Sequence, residues 1–313
     1  MKRELYEAQL SQSDVLEAQP YVTDDEHGDN WHLMLGDSCE RLAEIPDNSI
    51  GLSVYSPPFA SLFTYSPSDR DLGNSTDSAE FMAHYRFILD EVLRVTMPGR
   101  ITAVHCQQVT TQKAKHGVVG MTDFRGDLIK AHIEAGWIFH GEVTIDKDPQ
   151  AQAIRTKAQS LMFVQLKRDS AMSRPALADY VLMFRKPGEN PVAIDNDVSN
   201  DTWIEWARPV WYGIRESATL NAAAGRSEED ERHICPLQLP LIERCVRLWS
   251  NKGDTVLSPF AGIGSEGFVS VQQGRKFVGC ELKPSYWATG VENLKRAEYE
   301  ANLPTLFDEP EDD

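Results

Sequence analysis

Short apolar runs alternate along the chain with longer segments whose hydrophobic residues recur at helical spacing. The apolar runs, which are typical of buried strands, fall at residues 31–35, 50–55, 101–105, 137–145, 180–184, 255–257 and 276–280. Helical spacing is found at residues 38–45, 77–95, 124–135, 241–249 and 268–272, with Ser38 as the expected N-cap of the first helix. This alternation predicts a three-layer α/β domain around a largely parallel sheet.

The strand predicted at residues 50–55 ends at Ser56-Pro57-Pro58-Phe59. Two consecutive prolines remove two backbone donors, so the chain cannot continue a strand ladder there. A proline pair alone is typical of a plain loop. Whether this pair marks more than a loop depends on the rest of the sequence.

A glycine turn, Phe260-Ala261-Gly262-Ile263-Gly264, follows the strand predicted at residues 255–257. A helix and a second strand come next, and that strand ends at Glu281. Glycines at such a turn let a ligand approach the backbone closely, and an acid at the tip of the next strand suits the hydroxyls of a ribose. The entry through Pro259 and Phe260 differs from a dinucleotide fingerprint and favours S-adenosylmethionine.

The chain of 313 residues carries 48 acidic against 31 basic side chains, a formal net charge of -17. No apolar run approaches the roughly 20 residues of a membrane span, and the N-terminus lacks the apolar core of a signal peptide, so we expect a cytoplasmic protein without a membrane partner. Five scattered cysteines without metal-ligand spacing indicate reduced thiols and no metal site.

One segment departs from the acidic balance. Residues 149–186 hold seven basic and two acidic side chains, a net of +5. This segment is therefore the predicted phosphate-facing surface. Its DNA-binding candidates are Arg155, Lys157, Lys167, Arg168 and Arg174.

Taken together, the two motifs resemble those of the amino-methylating DNA methyltransferases. Ser-Pro-Pro-Phe is preceded by GDSCERLAEIPDNSI and followed far downstream by SPFAGIGSEG and FVGCELKPSYW. The order is that of the permuted β group, in which the catalytic motif comes first, and the resemblance covers about residues 31–295. It implies a Rossmann-like methyltransferase sheet, circularly permuted, with an inserted target-recognition region. It also implies S-adenosyl-L-methionine as cofactor and double-stranded DNA as substrate.

The resemblance assigns catalysis to Ser56, Pro57, Pro58 and Phe59. The Ser56 hydroxyl and the Pro57 carbonyl would accept the two N–H bonds of an exocyclic amino group, which directs its lone pair at the methyl sulfonium. The prolines would hold these acceptors rigid, and Phe59 would stack on the flipped base. A serine before Pro-Pro favours N4 of cytosine, with N6 of adenine as the alternative.

The same resemblance places the cofactor. The expected contacts are Phe260, Gly262, Gly264 and Ser265 around the methionine portion, Glu281 on the ribose, Asp37 near the adenine, and His233 and Pro236 in a closing segment. Two departures from the family pattern stand out. Ser258 occupies the position of a usual aspartate, and HICPLQLP lacks the lysine that this segment commonly carries.

The predicted organisation has five parts. They are a polar N-terminal arm (1–28), a catalytic half (29–148), an insertion and target-recognition region with a core strand near 180–184 (149–232), a cofactor-binding half (233–300) and an acidic tail (301–313). A homodimer and a cognate restriction endonuclease are further expected partners.

Other interpretations stay open at this point. They are a methyltransferase for RNA or a protein amide, and a catalytically idle DNA-binding regulator on the same fold. The aromatic residues Trp203, Trp206 and Trp211 fit either base stacking or ordinary packing. Most histidines are expected to be packing residues, whereas His105 and Cys106, at a strand end, are candidates for the border of the pocket.

Overall fold

The computed structural model describes residues 21–58, 78–111, 117–195, 198–220 and 236–303. Its strands are β1 Asp24–His27, β2 Trp31–Leu35, β3 Ile50–Tyr55, β4 Thr96–Gln107, β5 Val109–Thr111, β6 Gly120–Thr122, β7 Ile138–Ile145, β8 Asp179–Arg185, β9 Val210–Trp211, β10 Thr255–Ser258 and β11 Lys276–Glu281. Its α-helices are α1 Ser38–Arg41, α2 Ser78–Val95, α3 Phe124–Glu134, α4 Pro149–Thr156, α5 Phe163–Arg168, α6 Asn200–Trp206, α7 Leu239–Trp249, α8 Ser265–Gln272 and α9 Pro284–Ala301. Short 3-10 turns lie at Leu42–Glu44, Gln159–Leu161 and Ser170–Met172.

The main sheet has nine strands in the order β1-β2-β11-β10-β3-β4-β8-β7-β9. The central strands β2, β11, β10, β3 and β4 are parallel, and β8 runs antiparallel between β4 and β7. The first residue of β8 and the last residues of β4 and β7 therefore meet at the same edge. Neighbouring strands β3 and β10 come from opposite ends of the sequence, as the predicted permuted order requires.

Helices cover both faces of this sheet, so the predicted three-layer α/β fold is confirmed. One apolar layer joins the sheet to α7, α8 and α9, and the other joins it to α2 and α3. Val181 and Leu182, adjacent in β8, belong to opposite layers because successive strand side chains point to opposite faces. Helix α2 buries six residues: Phe81, Tyr85, Ile88, Leu89, Val92 and Val95. Each such side chain stabilises the fold by about 1.5–3 kcal/mol.

A buried ion pair closes the amino end of the central strands. Arg100, whose side chain is fully buried in β4, places Nη1 3.0 Å from Oδ2 of Asp254, the residue before β10. The same carboxylate oxygen accepts the backbone N–H of Asn251 at 2.7 Å. This pair joins β4 to the turn before β10 across the strand that lies between them, β3.

Two local predictions differ from the structure. Residues 24–27 belong to β1, which pairs antiparallel with β2, although residues 1–28 were expected to form a loose arm. A polar edge strand lacks the apolar alternation by which buried strands are recognised. The N-cap of α1 is Asp37, not Ser38, because the Asp37 carboxylate accepts the backbone N–H of Cys39 at 2.9 Å. Ser38 instead donates its hydroxyl to the Pro259 carbonyl at 2.5 Å.

Residues 146–178 form the connection between β7 and β8. It leaves the sheet at the carboxyl end of β7, includes α4 and α5, and returns at the start of β8. Beyond β8, α6 and β9 extend the sheet, and β9 pairs parallel with β7. Trp211 of β9 is 1% exposed and stacks on Trp249, whereas Trp203 is 52% exposed. Ordinary packing thus accounts for Trp211.

Candidate active site

The Ser-Pro-Pro motif begins at the carboxyl end of β3. Ser56 is half-buried and its hydroxyl donates to the backbone carbonyl of His105 at 3.2 Å. Pro57 is buried and Pro58 is half-buried. Because the hydroxyl proton is directed at His105, a lone pair of the Ser56 oxygen remains to accept a hydrogen from a ligand.

The glycine turn lies next to this motif because β10 pairs directly with β3. Gly262 and Gly264 have φ angles of 53° and 80°, in the left-handed region that glycine adopts without strain. The backbone N–H of Gly262 donates to Glu281 Oε2 at 2.8 Å. The backbone N–H of Lys283 donates to the other carboxylate oxygen at 2.8 Å, so the carboxylate of Glu281 is fixed between two turns.

An aromatic cluster links the two motifs. The Phe260 ring lies 5.8 Å from the Tyr55 ring and 6.4 Å from the Tyr85 ring, between centroids. The hydroxyls of Tyr55 and Tyr85 lie 3.0 Å apart, and burial raises the pKa of Tyr55 to about 12. Phe260 therefore supports the end of β3 as well as the entry to the glycine turn.

The structure describes three further cofactor candidates, Asp37, Ser265 and Pro236. Asp37 follows β2, and the neighbouring Gly36 N–H donates to the Glu281 carbonyl at 2.9 Å. Ser265 begins α8 and is 2% exposed. Pro236 is half-buried before α7. Of these residues, Asp37 and Ser265 join Glu281 and the glycines around one strand edge.

The residues at this edge fit S-adenosyl-L-methionine on two observations. A side-chain carbon placed on Gly262 would meet no atom of the described residues within 4 Å, so open space lies above the turn. The buried hydroxyls of Ser258 and Ser265 have no hydrogen-bond partner in the part of the chain that the structure describes. Such orphaned groups at a glycine turn are suited to a polar ligand. The group would be held by the turn, by these hydroxyls and by Glu281, and when bound it supplies an electrophilic methyl group.

Sequence reasoning missed a buried acid at the same turn. Glu266, in the first turn of α8, is 4% exposed. Burial, with a smaller contribution from the negative charge of Glu281, raises the pKa of the Glu266 carboxyl to about 8. The side chain is therefore mostly protonated at neutral pH. Helical periodicity does not predict that Glu266 is buried, because an acidic residue in the first turn of a helix is typical of a solvent-exposed position.

A second set of residues, of which only His105 was a candidate from the sequence, lies next to Ser56. The His105 side chain is nine-tenths buried. Its Nδ1 lies 3.3 Å from the Ser56 hydroxyl, and its Nε2 lies 3.2 Å from Oδ2 of Asp179. The ammonium of Lys147 lies 2.5 Å from the same Asp179 oxygen. His105 was a candidate for the border of the pocket, and its contact with Ser56 agrees with that place. Asp179 and Lys147 could have been noticed as polar residues at strand ends.

The DNA-binding candidates follow the connection between β7 and β8. Lys157 caps the end of α4, and Lys167 and Arg168 end α5, with all three exposed. Arg174 is half-buried and donates to the Pro175 carbonyl at 3.0 Å. Since both ends of this connection lie at the carboxyl edge of the sheet, the basic residues belong to a segment anchored beside Ser56.

Three predicted site residues lie outside the described part of the structure. They are Phe59, His233 and the side chain of Arg155. Within the described ranges, no group of three or more His, Cys, Asp or Glu side chains could hold a metal ion. None of the helices described is long and apolar enough to cross a membrane.

Comparisons with known proteins place this site in a family. The model of the DNA methylase family N6_N4_Mtase matches residues 50–292. The type II methyltransferase M.Cfr9I of Citrobacter freundii is 38% identical over 296 residues, which covers 84% of this chain and 87% of that protein. Matches to three other curated relatives span only 42%, 24% and 57% of those proteins.

Solved structures show the same fold. TTHA0409 of Thermus thermophilus, complexed with S-adenosyl-L-methionine, superposes with a TM-score of 0.63 at 24% identity and covers 84% of this chain and 92% of that one. The PvuII DNA methyltransferase, described as cytosine-N4-specific, gives a TM-score of 0.60 at 18% identity and covers 87% and 92%. The family match confirms the predicted methyltransferase and its cofactor, S-adenosyl-L-methionine. The chain belongs to the N6/N4 family of DNA methylases.

Proposed function

We propose that this protein transfers the methyl group of S-adenosyl-L-methionine to N4 of a flipped cytosine in a specific sequence of double-stranded DNA. One observation carries the proposal. The Ser56 hydroxyl is fixed at the end of β3, beside the glycine turn of the adjacent strand, and its proton is donated to the backbone carbonyl of His105. An acceptor held in this way can orient an amino group toward a methyl donor bound over the turn.

The chemistry demands such an acceptor because an exocyclic amino nitrogen is a poor nucleophile. Its lone pair is delocalised into the ring and must be localised before it can attack carbon. In the proposed complex the Ser56 oxygen and the Pro57 carbonyl accept the two N–H bonds and favour a tetrahedral nitrogen. Pro57 and Pro58 have no backbone N–H, so no donor from these two residues competes with the substrate for the acceptors.

The assignment to cytosine rests on the neutral hydroxyl of Ser56, since serine at this position goes with the cytosine amino group in the family that the chain resembles. The second candidate is N6 of adenine. It is favoured by a 40% identical match over 74 residues to YhdJ of Escherichia coli, which is described as a DNA adenine methyltransferase.

The DNA would lie along the basic connection between β7 and β8. Lys157, Lys167 and Arg168 are exposed on a segment that starts and ends at the edge that carries Ser56. Replacing all three by glutamine should weaken DNA binding and flatten its dependence on salt, by about 0.9 in the log–log slope for each lost phosphate contact. Fluorescence anisotropy with a labelled duplex at several salt concentrations measures this slope. An unchanged slope would remove the segment from the interface.

The proposal extends to two protein partners, a second copy of this chain and a restriction endonuclease that cleaves the same sequence when it is unmethylated. Relatives such as M.Cfr9I carry type II methyltransferase names, which supports the second partner. Sedimentation at micromolar concentration distinguishes a dimer from a monomer. Protection of methylated plasmid from digestion in an extract of the source cells tests for the nuclease.

The decisive experiment identifies the methylated base. Unmodified plasmid is incubated with the protein and S-adenosyl-L-methionine, digested to nucleosides and analysed by mass spectrometry. We expect N4-methylcytosine; N6-methyladenine would establish the second candidate, and neither product would sink the proposal. Ser56→Ala should slow transfer about 10²–10³-fold. The matched control is Ser49→Ala at the other end of β3, where the hydroxyl donates to the Pro46 carbonyl, and this variant should keep the rate.

A further inference from the structure

Behind Ser56, three ionisable side chains from three neighbouring strands are buried together. His105 comes from the end of β4, Asp179 from the start of β8, and Lys147 from just beyond β7. Their side chains are 10%, 6% and 2% exposed. We call Ser56, His105, Asp179 and Lys147 the Ser56 network.

The contacts in this network form a chain from Lys147 through Asp179 and His105 to Ser56. Lys147 Nζ lies 2.5 Å from Asp179 Oδ2, and His105 Nε2 lies 3.2 Å from the same oxygen. His105 Nδ1 then lies 3.3 Å from the Ser56 hydroxyl. The other Asp179 oxygen accepts from the Gln107 side chain at 2.7 Å, and Glu216 Oε1 stands 4.0 Å from Lys147. The ring of His105 therefore connects a buried carboxylate to the hydroxyl of the catalytic motif.

A purely structural role does not require this arrangement. Lys147 and Asp179 neutralise each other, and an apolar residue in place of His105 would complete the packing of β4 at lower desolvation cost. Instead the imidazole presents one nitrogen to the carboxylate and the other to Ser56. The neutral tautomer with its proton on Nε2, 3.2 Å from the Asp179 carboxylate, has an unprotonated Nδ1 3.3 Å from the hydroxyl.

We propose that His105 is the positioning residue for Ser56 and receives, through the Ser56 hydroxyl, the proton that the methylated amino group loses. The inference rests on the proposed function, in which Ser56 accepts from that amino group. Asp179 fixes the ring and stabilises the imidazolium, and Lys147 holds Asp179 in its ionised form.

The step balances in atoms and charge. The amino nitrogen forms a bond to the methyl carbon, the carbon–sulfur bond breaks with its electron pair on sulfur, and the positive charge passes from sulfur to nitrogen. The nitrogen then loses one proton to the Ser56 oxygen, while the Ser56 hydroxyl turns from the His105 carbonyl to Nδ1, 3.3 Å away, and releases its own proton there. Ser56 ends unchanged, and the imidazolium later releases its proton to solvent.

The charge of Asp179 supports this assignment. Burial raises the pKa of its carboxyl, but the contacts with His105 and Lys147 outweigh burial, and the pKa lies below the ordinary value. Asp179 is therefore ionised at neutral pH. A permanent negative charge beside Nε2 favours the ring orientation that leaves Nδ1 facing Ser56.

The first test replaces His105 by asparagine, which can still accept a hydrogen bond from Ser56 but cannot take up a proton at neutral pH. We expect single-turnover methyl transfer to duplex DNA to fall about 10²-fold or more, with DNA and cofactor dissociation constants within about twofold of wild type. The acid limb of the pH–rate profile should disappear. His140→Asn, an exposed histidine on β7, is the matched control and should keep both rate and profile.

The second test needs no turnover. Nitrogen-15 NMR of histidine-labelled protein, with the His105 signals assigned by their loss in His105→Asn or by selective labelling, should show Nε2 protonated and Nδ1 unprotonated at neutral pH. Ser56→Ala should shift the Nδ1 signal.

The outcomes separate the two proposals. A wild-type rate and acid limb in His105→Asn, or a protonated Nδ1 in the neutral ring, overturns the role of His105 and leaves the proposed methylation standing. Absence of methyl transfer by the wild-type protein overturns the proposed function and the inference with it. Should His105→Asn fail to fold, the NMR measurement on wild type and Ser56→Ala still decides.

Discussion

Two buried ion pairs stand at opposite ends of the central sheet, and they differ in what lies next to them. At the amino end, Arg100 pairs with Asp254, and the same carboxylate oxygen also accepts the backbone N–H of Asn251. At the carboxyl end, Lys147 pairs with Asp179, and the shared carboxylate oxygen also faces His105, which contacts Ser56. The carboxylate of the first pair contacts a backbone N–H besides Arg100, whereas the carboxylate of the second pair lies next to His105, which contacts the catalytic Ser56.

The two ends of a parallel sheet differ in what a buried charge can do. Both pairs bury charge at a desolvation cost, and both tie neighbouring parts of the sheet together. Ligands bind at the carboxyl ends of parallel strands, so a buried charge there has a second use that is absent at the amino end. The comparison therefore assigns stability to the Arg100 pair, and stability together with catalysis to the Asp179 pair.

The largest effect on stability is expected from Asp254→Asn. It leaves the Arg100 guanidinium, which is fully buried, without this counter-charge, and removing one partner of a buried pair costs about 3–5 kcal/mol. Urea denaturation should show this loss. Single-turnover methyl transfer, measured where the variant is folded, should equal that of wild type. A slowed rate in the folded variant would show that the Arg100 pair also contributes to catalysis.

Asp179→Asn is the matched change at the other end. The loss of unfolding free energy should be smaller, about 2–4 kcal/mol, because Lys147 still has a negatively charged neighbour in the variant, Glu216, at 4.0 Å. The folded-state pKa of Asp179 is lowered, so its contribution to stability is present above the ordinary pKa near 4 and is lost as pH falls through the folded value. Urea denaturation between about pH 6 and pH 3 should show that the unfolding free energy falls less steeply with decreasing pH in the variant than in wild type.

Asp179→Asn should also slow methyl transfer. Because the neutral amide no longer stabilises an imidazolium at His105, single-turnover transfer should fall by about tenfold or more. Asp254→Asn is the control for any general effect of losing a buried carboxylate. Equal rates in the two variants would mean that the carboxyl-end pair is structural as well.

Glu266→Gln tests an acid at the carboxyl end that has no cationic partner among the contacts that set its pKa. Since the folded pKa is raised to about 8, ionisation destabilises the folded state, and stability falls as pH rises from the ordinary value near 4.5 toward 8. Glutamine keeps the shape without the charge. Unfolding at about pH 8 should cost more free energy in the variant, by on the order of 3 kcal/mol, and the difference should shrink toward about pH 5. A variant less stable than wild type at the higher pH would contradict this account.

Much of this molecule could be predicted from the sequence because its patterns are local. Helical spacing from Phe81 to Val95 and the apolar run of β3 identify elements that pack on one sheet, and the Ser-Pro-Pro and glycine-turn motifs identify two strand ends. The contact of Lys147 with Asp179 beside His105 could not be predicted, since Lys147 and Asp179 are far apart in sequence and meet only when β7 and β8 pair. The polar strand β1 was missed because an edge strand has no buried pattern to detect.

The smallest effect is expected at His132, a second buried histidine that contacts no charged group among the interactions setting its pKa. Its ring stacks on Phe184 at 3.8 Å, and burial lowers its pKa to about 3 although Nδ1 donates to the Leu128 carbonyl. A lowered histidine pKa means that the folded state resists protonation, so stability is full above about pH 6.5 and falls as pH drops toward 3. His132→Phe should change stability at pH 7 by about 1 kcal/mol or less, and at pH 5 should be more stable than wild type by about 2 kcal/mol. Unlike His105→Asn, His132→Phe should leave the acid limb of the methylation rate in place, because a buried imidazole without contact to Ser56 affects folding alone. Loss of the acid limb in His132→Phe would show that the limb reports unfolding and not proton transfer to His105.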